Sequence, residues 1–93
     1  HGMRQVLTKR TAEERLAIFL LSLSVRFAQR GLSPYRLRLF MPRADLSNHL
    51  GLAPETMSRL FARFRERRWL STYGRSRDLV LEDMAALKRI AGH

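Results

Sequence analysis

The chain contains no cysteine. Disulfides, thiolate catalysis, cysteine-ligated zinc and iron–sulfur clusters are therefore excluded within it. Long apolar runs are also missing. The longest, Leu16 to Leu23, is broken by Ser22 and is far too short to span a bilayer. The start has no apolar stretch of the kind a secretory signal needs. No internal repeat, low-complexity tract or extended linker occurs. Acidic residues are few, eight against eighteen basic ones, and the net charge is +10. A cytoplasmic location is the expectation.

The 93 residues leave room for one domain with a thin core. Hydrophobic residues at 45% and charged residues at 28% fit a globular chain. Sixteen of the eighteen basic residues are arginine, the side chain best suited to phosphate. Residues 36–77 hold ten basic and three acidic side chains, whereas residues 78–93 hold two and three. A charge excess concentrated mid-chain points to a polyanionic partner.

His1-Gly2-Met3 has the look of a cloning scar and is set apart from the fold. Thr11-Ala12-Glu13-Glu14 fits a capping box, with Thr11 as N-cap and Glu14 three residues on. Leu16, Phe19, Leu20, Leu23 and Phe27 then recur at helical spacing, and Gly31 with Ser33-Pro34 stops the run. A helix over 12–30 follows, with Arg15, Arg26 and Arg30 solvated. Leu37, Leu39 and Met41 alternate with Arg36, Arg38 and Phe40, which predicts a half-buried strand ended by Pro42. Short helices are predicted over 43–50 and 54–67. Strands over 70–73 and 79–81 flank an arginine-bearing turn, and Asp83 caps a last helix carrying Met84, Leu87 and Ile90. The order helix, strand, helix, helix, hairpin, helix predicts a mostly α domain with a small β-wing: a winged helix-turn-helix.

The segment 43–61 satisfies several packing demands together. Two helices that cross steeply need a small residue at their contact, which is Ser47. Their turn needs a positive φ, which Gly51 supplies. Leu46, Leu50, Leu52, Met57 and Leu60 pin both helices inward. Outward, Pro54 opens the second helix, and Glu55, Ser58 and Arg59 share one face at i, i+3 and i+4. Such a face enters the major groove in a recognition helix. Arg59 can donate twice to a guanine edge, Glu55 can accept from a cytosine amine, and Ser58 can approach a base or methyl edge. The plain alternative is an ordinary Glu55–Arg59 ion pair on a solvated helix. Arg43, Thr56, Arg75 and Arg77 are candidate phosphate contacts. Trp69 and Tyr73 read as core or wing-packing residues.

These residues resemble the C-terminal DNA-binding domain of the CRP/FNR family of bacterial transcription regulators. Within it they resemble most the oxygen-responsive fumarate-and-nitrate-reduction branch. The resemblance runs through AEERLAIFLLSLSVRFAQRGLSP and RADLSNHLGLAPETMSRLFARF to the terminal IAGH. It implies that Glu55, Ser58 and Arg59 form that branch's E-x-x-S-R base-reading set. The cyclic-AMP-binding branch usually has arginine at the place of Pro54 and glycine at that of Ser58, so TTGAT half-sites are favoured over TGTGA. It further implies a homodimeric parent on palindromic sites, with residues 4–10 ending its dimerisation helix and residues 11–93 forming the domain. Leu32, Ser33 and Pro34 resemble a surface that family activators present to RNA polymerase. The branch's iron–sulfur sensor belongs to an N-terminal region, and this fragment carries no cofactor. Two positions depart from the family. Pro42 replaces a capping threonine, and Arg68 stands where relatives often have glycine or asparagine. Arg68 is therefore expected either in a left-handed conformation or at a shifted helix end.

Other functions fit less well. His1, His49 and His93 are isolated, and Asp45 with His49 supplies two metal ligands of a possible set, which do not make a site. No catalytic triad, phosphate loop or carboxylate pair is present, so no enzyme and no small-molecule substrate are expected. No aromatic stripe is available to stack RNA bases. Glu13 and Glu14 argue against a membrane-surface helix at 12–30. A winged-helix protein-interaction module with only non-specific DNA affinity is the remaining alternative to a sequence-specific reader of double-stranded DNA.

Overall fold

A computed structural model describes residues 10–73 and 77–92. Residues 1–3, residues 4–9 of the helix tail expected over 4–10, and Arg75 of the wing lie outside the described residues. Helix α1 spans Ala12–Gln29, strand β1 Arg36–Arg38, helix α2 Arg43–Leu50 and helix α3 Pro54–Glu66. Strands β2 (Leu70–Thr72) and β3 (Asp78–Leu81) and helix α4 (Met84–Ala91) complete the domain. The elements appear in the order read from the sequence, within a residue or two at their ends except for β1, which stops at Arg38 instead of running on to Pro42. Helix α3 stops at Glu66, one residue before the expected Arg67, which serves as its cap.

Local signals start and stop these helices. The Thr11 hydroxyl accepts from the Glu14 amide (3.1 Å), and the Glu14 carboxylate accepts from the Thr11 amide (2.7 Å). This reciprocal pair satisfies two amides at the start of α1. At its other end Gly31 turns left-handed, and the Leu32 amide donates to the Phe27 carbonyl (2.9 Å). Helix α4 is capped by the Asp83 carboxylate, which accepts from the Ala86 amide (3.0 Å).

Helix α1 buries Leu16, Ala17, Leu20 and Leu23 and packs most extensively on α4, whose Ala86 and Leu87 are fully enclosed. Leu46 of α2 and Met57, Phe61 and Phe64 of α3 join the same core. Each large apolar side chain enclosed in this way contributes about 1.5–3 kcal/mol. The strands form one antiparallel sheet in the order β1-β3-β2. Leu37 lies opposite Leu79, and Leu70 opposite Leu81. Strand period two turns these leucines inward and leaves Arg36 and Arg38 in solvent. Sheet and helices together make a winged helix-turn-helix.

Arg68 carries a φ of +58°, the one non-glycine residue with positive φ among those described. The Trp69 amide donates to the Phe64 carbonyl (2.9 Å), and the Arg68 amide to the Arg65 carbonyl (3.0 Å). The Trp69 indole meets the Phe64 ring edge-on, with centroids 5.0 Å apart. A left-handed non-glycine residue costs about 1–2 kcal/mol. The two hydrogen bonds and the aromatic contact of this helix end offset it.

Candidate nucleic-acid interface

The α2–α3 turn is built as the sequence requires. Gly51 adopts φ +70° and ψ +34°, and the Leu52 amide reaches back to the Ser47 carbonyl (2.8 Å). Ser47 is buried, and its hydroxyl donates to the Ala44 carbonyl (2.7 Å), so it provides a small contact surface without an unsatisfied polar group. The outer side of the turn is braced from α1. Arg15, expected in solvent, is only half-exposed, and its guanidinium donates to the Leu50 carbonyl (3.3 Å).

Glu55, Ser58 and Arg59 are all exposed on α3. Arg59 donates from Nε to the Glu55 backbone carbonyl (3.4 Å), a long bond that leaves its two terminal amino groups available. The ion pair with the Glu55 carboxylate, weighed as the plain alternative, does not form. Thr56 is half-buried in the groove between α3 and the start of α1.

Neither helix of this pair has a side-chain cap. Pro42 precedes α2 and Ala53 precedes α3, and neither offers an acceptor. Amides in a first turn without a cap carry partial positive charge toward whatever faces them. Arg43 sits at the first of these ends. Its guanidinium lies over the Phe61 ring, 4.4 Å from the centroid. Desolvation there, and secondarily the like charge of Arg65, lower its pKa from the ordinary arginine value. Arginine nonetheless stays charged. Two cations held close together present a concentrated positive field to an anion.

Arg77 is exposed where the wing re-enters the sheet, and its carbonyl accepts from the Leu39 amide (2.9 Å). Arg77 shares a groove with Arg26, Arg30 and Arg38, drawn from α1 and β1. The structure thus brings Arg77 toward the arginines of α1 and β1. Trp69 packs as expected, whereas Tyr73 is 53% exposed beside the wing. In the 31–34 turn, Leu32 and Ser33 are exposed and Pro34 is half-buried. The Ser33 hydroxyl accepts from the Tyr35 and Arg36 amides, and the buried Ser24 hydroxyl donates to the Pro34 carbonyl (2.6 Å). The turn is fixed, and Leu32 forms its apolar tip.

Sequence reasoning missed the Arg15 brace and an ion pair between Arg63 of α3 and Glu13 of α1. Their partners lie 35 and 50 residues apart, and no local pattern marks them. Among the described residues no group of three His, Cys, Asp or Glu side chains could hold a metal ion. A chain without cysteine does not fit the iron–sulfur cluster of the branch it resembles. No described helix is long and apolar enough to cross a membrane.

Comparison with known proteins gives a consistent picture. Residues 14–90 match the family model of the Crp-like helix-turn-helix domain. The fumarate and nitrate reduction regulatory protein of Shigella dysenteriae is 49% identical over 88 residues, which cover 95% of this chain and 34% of that protein. The chain therefore spans about a third of the length of the curated relatives it matches. FixK2 from Bradyrhizobium japonicum superposes with a TM-score of 0.78 at 30% identity, over 91% of this chain and 40% of that one. The CO-dependent transcription factor CooA from Carboxydothermus hydrogenoformans gives 0.70 at 27% identity, over 92% and 39%. With its helix pair and three-stranded sheet in place, this chain belongs to the Crp-like helix-turn-helix family and is a DNA-binding domain of the CRP/FNR transcription-regulator type.

Proposed function

We propose that the domain reads duplex DNA through α3, with TTGAT-type half-sites as its target. The observation that carries this reading is the exposed set of Glu55, Ser58 and Arg59 on a helix whose leading end has no side-chain cap. Arg59 would pair with a guanine edge, Glu55 with a cytosine amine, and Ser58 with a neighbouring base edge. Arg43, placed at the uncapped start of α2, would hold a backbone phosphate, and Thr56, Arg75 and Arg77 would hold others. Half-sites read this way suit a parent that binds palindromes as a homodimer. The exposed Leu32 tip, with Ser33 and Pro34, would be its contact to RNA polymerase. The parent's activity as a whole regulator is part of this proposal.

The test is fluorescence anisotropy with three duplexes, a TTGAT palindrome, a TGTGA palindrome and a scrambled site, each across a salt series. Binding should favour TTGAT, because each wrong base pair costs about 1–3 kcal/mol. Equal, steeply salt-dependent affinity for all three would leave only a basic module and contradict sequence reading.

A further inference from the structure

Arg63 follows Arg59 by one helical turn, on the same side of α3. By charge and position it belongs with the residues that face DNA. Yet its guanidinium is engaged by the Glu13 carboxylate, at the start of α1. Thr11, Glu13, Thr56, Arg59 and Arg63 line one groove, so the ion pair sits directly beside the reading face. Among the described residues Glu13 is the sole carboxylate lining that groove. The adjacent Glu14 is occupied by the Thr11 cap, which leaves Glu13 free to reach across to α3.

We infer that Glu13 is a specificity-determining residue, which withholds Arg63 from the DNA backbone. This rests on the reading of α3 as the recognition helix. A cation free to meet a phosphate strengthens binding to every sequence by releasing a counterion. On a cognate site the base contacts fix the depth and angle of α3. On random DNA no such contacts exist, and the helix can shift until a free arginine finds a phosphate. Binding Arg63 to α1 therefore removes more affinity from random DNA than from the cognate site.

The experiment compares Glu13→Gln, Arg63→Gln and the double substitution in the full 93-residue chain. Each is titrated against the TTGAT palindrome and a scrambled duplex across a salt series, with thermal melting as a control for folding. Glu13→Gln should raise affinity for the scrambled duplex about three- to tenfold at 0.1 M salt and steepen its salt slope by about one. The gain on the palindrome should be smaller, so the preference falls. Arg63→Gln should change affinity for either duplex by less than about twofold, because a withheld arginine makes no phosphate contact. The double substitution should return the scrambled-duplex slope to that of the unsubstituted chain. The inference is overturned by an unchanged slope in Glu13→Gln, or by Arg63→Gln alone lowering the slope by about one. If the unsubstituted chain prefers no palindrome, the half-site reading fails, while the slope comparison on scrambled DNA still decides whether Glu13 restrains Arg63.

Discussion

Helices α1 and α4 begin with side-chain caps, from Thr11 and Asp83, whereas α2 and α3 begin at Pro42 and Ala53 with none. All four bury apolar faces in the same core, so the difference lies at their ends. A cap satisfies first-turn amides inside the protein and stabilises it by about 1 kcal/mol. An uncapped end forgoes that stabilisation and keeps its positive end for an anion. The starts of α1 and α4 are thus closed by the protein's own side chains, and those of α2 and α3 are left open. The arginines of α3 divide similarly. Arg59 is left available near the start, while Arg63 and Arg67 further along are occupied by Glu13 and the Trp69 ring.

Substitutions can break or sharpen this contrast. The largest effect is expected in the frame. Leu20→Ala, at a fully buried position of α1, should lower unfolding free energy by about 2–5 kcal/mol in urea titrations. Next comes the reading face. Arg59→Ala should weaken cognate binding by roughly 1–3 kcal/mol and relax preference at one base pair, with the melting temperature nearly unchanged. An equal loss on cognate and random duplexes would remove Arg59 from base reading.

Thr11→Ala should cost about 1 kcal/mol of stability and leave the salt slope of DNA binding intact. The same cap has a pH signature. Hydrogen bonds from the Thr11 backbone and then from its side chain hold the Glu14 carboxyl below its ordinary value of 4.5. The folded chain therefore takes up that proton less readily than the unfolded one. The stabilisation is complete above the ordinary value and is lost as pH falls through the lowered one. Acid unfolding of Glu14→Gln, which has no carboxyl to titrate there, should show a weaker dependence on pH in that window.

Pro42→Asp gives the smallest stability change and the sharpest contrast. It should cap α2 and raise stability by about 0.5–1 kcal/mol. The same carboxylate would repel a phosphate beside Arg43 and weaken DNA binding several-fold. Tighter binding in this variant would refute the assignment of that helix end to phosphate.

Much of the helix-turn-helix and its frame was readable in sequence because the signals are short-range. The capping box spans four residues, the Ser47–Gly51 turn five, and the exposed face from Glu55 to Arg59 five. The left-handed Arg68 is one of the two outcomes that the family resemblance implied, whereas the Phe64–Trp69 contact that supports it had no sequence signal. Arg15 read as solvated because its position on the helix shows nothing of the Leu50 carbonyl beside it.

The sequence by itself determined where the helices start and stop, which residues turn inward, and which side chains α3 exposes. Those outcomes depend on interactions within one or two helical turns and on strand or helix periodicity. The tertiary structure alone decided that β1 joins β3 in the wing sheet, that Arg15 braces the helix-turn-helix, and that Glu13 holds Arg63. Each of those depends on where two rigid elements come to rest against a shared core, and that position is set by packing of the whole domain.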